Sequence, residues 1–174
     1  MRTIILGLAA AGLLGACSDD SANAPKEEAP AASLKPGEYE ITAKVDALRS
    51  TDNSTPATAS KADGPPTVTR TCVAADGEIE PGAFAESDEQ CTATDSYVRG
   101  GRLNMQLKCN RAGKGGVMAM ADGKFTADSF TAQVLTSTYF SGPGDYELTR
   151  TVTGKRVGEC PPAGDPATAQ NKAS

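Results

Sequence analysis

The residues that could carry chemistry are few, and the one most often used is missing. Among 174 residues there is no histidine. That removes the commonest general base and the commonest metal ligand. No G-x-S-x-G elbow is present, and without histidine no Ser-His-Asp triad can form. Lys114-Gly115-Gly116 after Gly113 has the composition of a phosphate loop but lacks G-x-x-x-x-G-K-[ST], so it reads as a turn between strands. The acidic pairs Asp19-Asp20 and Asp88-Glu89 lie in polar stretches and read as solvated charge. Three charges interrupt alternating apolar faces: Arg70 between Val68 and Cys72, Asp95 on the Cys91–Tyr97 face, and Arg150 between Leu148 and Val152. Buried charge is costly unless paired. These three are therefore candidates for a polar spot in an apolar concavity, orienting a ligand with a charged head. The plainer reading carries more weight: they sit at a sheet rim, or a bulge flips their facing. Met105, Met118 and Met120 could form an adaptable apolar surface, although scattered strand methionines are more often core. No catalytic residue, metal site or cofactor is expected.

Five cysteines remain to be placed. The first follows Arg2, an apolar run from Ile4 to Leu14, and Leu14-Gly15-Ala16. One charge, a short apolar stretch and small residues at a cut make a secretory signal. The run is too short for a membrane span, which needs roughly 20 apolar residues. Leu14-Gly15-Ala16-Cys17 resembles the bacterial lipobox. That resemblance implies a signal peptide over 1–16, cleavage before Cys17, and acyl chains on Cys17 that hold the protein to a membrane, since two lipid signals suffice for stable anchoring. Ser18, where an Asp would otherwise stand, resembles the enterobacterial pattern for the outer membrane. The expected location is the cell envelope, facing the periplasm, with the outer membrane favoured over the inner.

Residues 17–33 carry Ser, Asn, Ala, Pro and Lys26-Glu27-Glu28 without apolar periodicity. They read as a disordered leash, and 161–174 as a disordered tail. The span between, 34–160, suits one domain. Loss of Arg2 leaves 16 basic against 22 acidic residues, net −6. Nucleic acid is disfavoured as a partner, since it calls for clustered positive charge.

The elements that must position these residues are strands. Tyr39, Ile41, Ala43 and Val45 share one face of 38–46, opened by the turn Lys35-Pro36-Gly37. Arg49 to Pro65 reads as a long mobile loop, Thr67 to Val73 as a strand, and Ala74 to Gln90 as acidic loop with a short helix near Gly82 to Glu86. Leu103, Met105, Leu107 and Cys109 alternate with polar residues. Further strands fit 117–126, 129–140 and 145–157. About seven strands and no strong helix predict an all-β domain, an antiparallel sandwich or a curled barrel-like sheet. Arg99-Gly100-Gly101 reads as a three-residue hairpin loop. That loop sets Val98 opposite Arg102 and so Cys91 opposite Cys109. Four cysteines in an oxidising compartment predict two disulfides. Cys91–Cys109 then leaves Cys72–Cys160. Zinc is the lesser alternative, because no pair has C-x₂₋₄-C spacing.

Leu34-Lys35-Pro36-Gly37-Glu38-Tyr39-Glu40-Ile41 resembles the L-x-P-G-x-W-E opening of the DUF3617 proteins, small exported proteins of Proteobacteria, with Tyr39 where Trp is usual. Thr71-Cys72-Val73, the Cys91–Cys109 hairpin and 153–160 resemble later landmarks of that family. The resemblance covers the whole domain and implies no activity. The expectation is a lipid-anchored binding or structural module whose partner is a membrane, with a protein or small amphiphile besides. A carrier or chaperone for an apolar ligand is the alternative, and an enzyme ranks third.

Overall fold

The computed structural model describes residue 31 and residues 33–161. The expected signal peptide 1–16, the lipidated Cys17 with its leash to 33, and the tail 161–174 lie outside the described residues, save Ala31, Ser33 and Pro161. Seven strands form: β1 Gly37–Ser50, β2 Thr67–Val73, β3 Glu89–Arg99, β4 Arg102–Arg111, β5 Gly115–Phe125, β6 Ser129–Phe140 and β7 Tyr146–Gly158. They make one antiparallel sheet in the order β2-β1-β7-β6-β5-β4-β3, curled into a half-barrel. Of the two expected forms the curled sheet is the one adopted.

Alternation fixes which face each strand buries. In β4, Leu103, Met105, Leu107 and Cys109 are buried while Arg102, Gln106 and Lys108 are exposed. A period-two pattern puts successive side chains on opposite faces. The buried set lines the concave side and joins Tyr39, Ile41, Val117, Phe130, Val134 and Val152 in one core. Phe130 crosses to Gly154 in the β6–β7 register, and a Cβ on Gly154 would stand 2.1 Å from the Phe130 ring. The glycine therefore makes room for the aromatic.

The sheet does not close on itself, since β2 and β3 are its two edges. The chain between them, 74–88, fills the opening. Val73 bridges to Ile79, and a 3-10 turn, Pro81–Phe84, carries Ala83 and Phe84 into the core. This turn stands where a short helix near Gly82 to Glu86 was expected. Phe84 is fully buried, its ring 5.7 Å from that of Phe130.

Two sequence expectations need correction. Arg49 and Ser50 belong to β1, and the loop beyond is pinned. Ala57 N donates to Gly144 O at 2.9 Å, and Asp52 Oδ2 accepts from Gly144 N at 2.8 Å. The β3–β4 connection has two residues, not three: Arg99 pairs with Arg102 around Gly100 and Gly101, both at positive φ. That is the twist a two-residue hairpin favours. A bulge between Ala93 and Asp95 then shifts the register back by one residue.

Candidate functional site

The half-barrel holds a buried charged cluster at the end of the sheet where β4 finishes and β7 begins. Arg111 closes β4 on the same inward face as Leu107 and Cys109, and Tyr146 and Arg150 come from the inward face of β7. Glu86 follows the 3-10 turn and Glu89 opens β3. Arg111 Nη2 lies 3.0 Å from Glu86 Oε2, 2.8 Å from Glu89 Oε1 and 2.8 Å from the Tyr146 hydroxyl. The Tyr146 hydroxyl donates to Glu86 Oε2. Glu86 Oε1 accepts from Thr58 Oγ1 at 2.5 Å and Ser60 Oγ at 2.6 Å. Arg111 Nη1 reaches Ala57 O at 2.6 Å. Arg150 donates to Ala85 O at 3.1 Å and Phe84 O at 2.5 Å. The cluster thus ties both chain segments that cover the concave side, 51–66 and 74–88, to the sheet.

Its electrostatics follow from burial against partners. Burial pushes Glu86 up, but hydrogen bonds from Ser60, Thr58 and Tyr146 and the nearby Arg150 charge outweigh it and hold the carboxyl below its ordinary value. Burial dominates for Glu89 and raises it, although the amide of Glu86 and the Arg111 charge oppose. Burial lowers Arg150. Burial also raises Tyr146, and the Glu86 carboxylate adds to that. Arg111 Nε is 3.0 Å from Asp88 Oδ2, close enough for an ion pair but not aimed for a hydrogen bond, and Arg150 Nε has no hydrogen-bond partner among the described residues. A raised carboxyl could serve as a proton donor. Here the Glu89 side chain is fully buried and that of Glu86 nearly so. A substrate would first have to displace the covering segments.

The three charges singled out in the sequence do not converge. Arg150 is in the cluster. Arg70 is exposed on β2, paired with Glu38 at 3.2 Å and Glu40 at 3.7 Å across the β1–β2 register. Asp95 stands opposite Gln106, on the exposed face, because the bulge precedes it. The cysteines are joined as Cys91–Cys109, with Cα atoms 4.0 Å apart, and Cys72–Cys160, at 5.7 Å. Glu89, Cys91 and Cys109 each bring a potential metal-ligand atom within 4.8 Å of the others. With the sulfurs bonded to each other, no thiolate is available to a metal.

Alternation places Tyr146 on one face of the last strand with Leu148 and Val152, and continued past Cys109 it leads to Arg111. Glu86 gave no local signal, and Glu89 corrects the reading of Asp88-Glu89 as solvated charge: Asp88 is exposed, but the Glu89 side chain is fully buried against Arg111. The methionines divide: Met105 is core, whereas Met118 and Met120 are exposed. With Leu135 and Tyr139 they form an apolar patch on the convex face of β5 and β6, which are paired.

A family model described as a protein of unknown function (DUF3617) matches residues 34–160. No curated protein and no solved structure matches the chain.

Proposed function

The chain belongs to the DUF3617 family, and from that premise we propose that it is a tethered, non-catalytic module of the bacterial cell envelope that works through its outer surface. The observation that carries this reading is the filled concavity. Tyr39, Phe84 and Phe130 meet inside it, and the buried charges there bond to one another and to the covering segments. Exposed apolar side chains gather instead on the convex side, where patches of this kind mark contact surfaces. The tether is lipid on Cys17, argued from the Leu14–Cys17 pattern, with the domain facing the periplasm, from the outer membrane rather than the inner. The net negative charge disfavours nucleic acid.

A carrier for an apolar ligand is the second reading. One feature favours it: the filling comes from a separate segment, 74–88, whose removal would uncover an apolar trough. An apolar fluorescent reporter tests the choice. The wild-type chain is expected to give no saturable uptake, and Phe84→Ala to gain some. Saturable one-to-one uptake by the wild type, displaced by a fatty acid, would establish the carrier instead.

A further inference from the structure

The registers around the convex patch have a symmetry that points to its occupant. Across β5 and β6, Gly116 faces Tyr139, Met118 faces Ser137, Met120 faces Leu135 and Asp122 faces Gln133. The flanking strands extend three of these rows, the Asp122–Gln133 row ending on Asn104 and Thr151. The other two read Lys108–Met118–Ser137–Glu147 and Gln106–Met120–Leu135–Thr149. Each row has a matched pair of ends about the line midway between β5 and β6. Lys108 answers Glu147, and Gln106 answers Thr149. Large residues answer small ones: Tyr139 answers Gly116, and Met118 answers Ser137.

We infer that the convex face binds a second copy of this chain, through a twofold axis that runs along the strands over the β5–β6 line. Such an axis lays β4 of one copy over β7 of the other, so members of each row exchange places. Lys108 then meets Glu147 of the second copy, twice. Tyr139, 63% exposed, meets Gly116, whose missing Cβ would contact nothing within 4 Å. Met120 meets Leu135. An isologous interface needs this self-complementarity, one patch serving as both halves.

Charge complementarity across the face favours a second copy. Lys108 is exposed and has no carboxylate within 4 Å among the described residues, while Glu147 on the opposite flank is paired only with Arg49. A twofold brings the unpaired cation to the carboxylate. Sheets packed face to face cross at about 30°, which keeps the central rows closest. Four strands about 4.8 Å apart over ~20 Å of length offer at most about 400 Å² per copy, since two convex faces curve apart toward β4 and β7. That is below the roughly 800 Å² of a standard interface, so the dimer is concentration-dependent.

This inference deepens the surface role and rests on it. The two fail separately, since a saturable apolar site would remove the surface reading, whereas a persistent monomer removes only the second copy. The test is sedimentation equilibrium of the chain from residue 17 onward carrying Cys17→Ser, from about 5 to about 500 µM. Circular dichroism checks that each variant folds. The mass is expected to rise toward twice that of the monomer. Met118→Asp and Gly116→Arg should hold it at one. Lys108→Glu and Glu147→Lys should each weaken association about tenfold, since each acts at two symmetric contacts, and combining them should restore it. A monomer throughout the range overturns the inference and leaves the face to a different protein. So does a dimer indifferent to Met118→Asp, or a combined reversal that fails to recover.

Discussion

Cys91 stands directly opposite Cys109 because one residue, Thr94, is accommodated as a bulge between them and the hairpin turn. The turn closes on Arg99 and Arg102, a register that would carry Cys91 one place past Cys109. The pair between Ala93 and Leu107 shows the shift undone. The bulge therefore sets the bridge, and it also turns Asp95 outward.

Deleting Thr94 should leave Cys91 and Cys109 misaligned, because a one-residue slip moves a side chain to the other face. Non-reducing peptide mapping of the wild type is expected to find Cys91–Cys109 and Cys72–Cys160. Two titratable thiols should appear in the deletion variant. A fully oxidised deletion variant with native pairing would show that the bulge is incidental.

Arg150 should be worth more than a surface charge. Its guanidinium holds the carbonyls of Phe84 and Ala85 and faces Glu86 and Glu89. Arg150→Met strands those groups, at a cost of about 3 to 5 kcal/mol for breaking a buried charged set. Arg70→Met, at an exposed pair, should cost under about 1 kcal/mol. Urea unfolding compares them, and equal losses would contradict the assignment of Arg150 to a structural cluster.

Acid should loosen the covering loop. Glu86 is held below its ordinary value in the folded state, and so is Asp52, through hydrogen bonds from the Ser54 side chain and amide and from the Gly144 amide. Stability from such groups is present above the unfolded carboxylate range, near 4, and is lost as pH falls through their folded values. Glu89, raised by burial, works the other way, since its protonation relieves the fold. Denaturation between pH 7 and pH 3 should therefore show a falling stability. Glu86→Gln should flatten that fall and Glu89→Gln should steepen it. Parallel slopes in all three proteins would refute the assignment.

Cys17 should carry the membrane attachment. Cys17→Ala is expected to release the protein from membranes or leave it unprocessed. Mass spectrometry of the mature N-terminus reads the modification directly, and an unmodified Cys17 or a start elsewhere would exclude the tether.

Strand content was legible because burial follows a period of two through β4, β5, β6 and most of β7. Leu103 to Cys109 alternates without interruption, and β2 and β6 run over the residues their pattern marks. The turn length was not legible, since a two-residue and a three-residue loop share the same Arg-Gly-Gly, and only the ladder distinguishes them. Arg150 was visible as a charge on an apolar face, but its partners lie some 60 residues away in sequence and nothing local names them. The convex patch was hidden for the opposite reason. Met118 and Met120 alternate with Ala119 and Ala121, and the alanines, not the methionines, face the core. Either assignment fits the pattern until the strands on both sides are known.

Native mass spectrometry of protein taken from its own envelope tests most directly whether the domain works by its surface. The account predicts masses of one and two chains, with no small molecule retained once the acyl group is allowed for. A single chain carrying one apolar molecule in fixed proportion, lost when Phe84 and its neighbours are repacked, would contradict it.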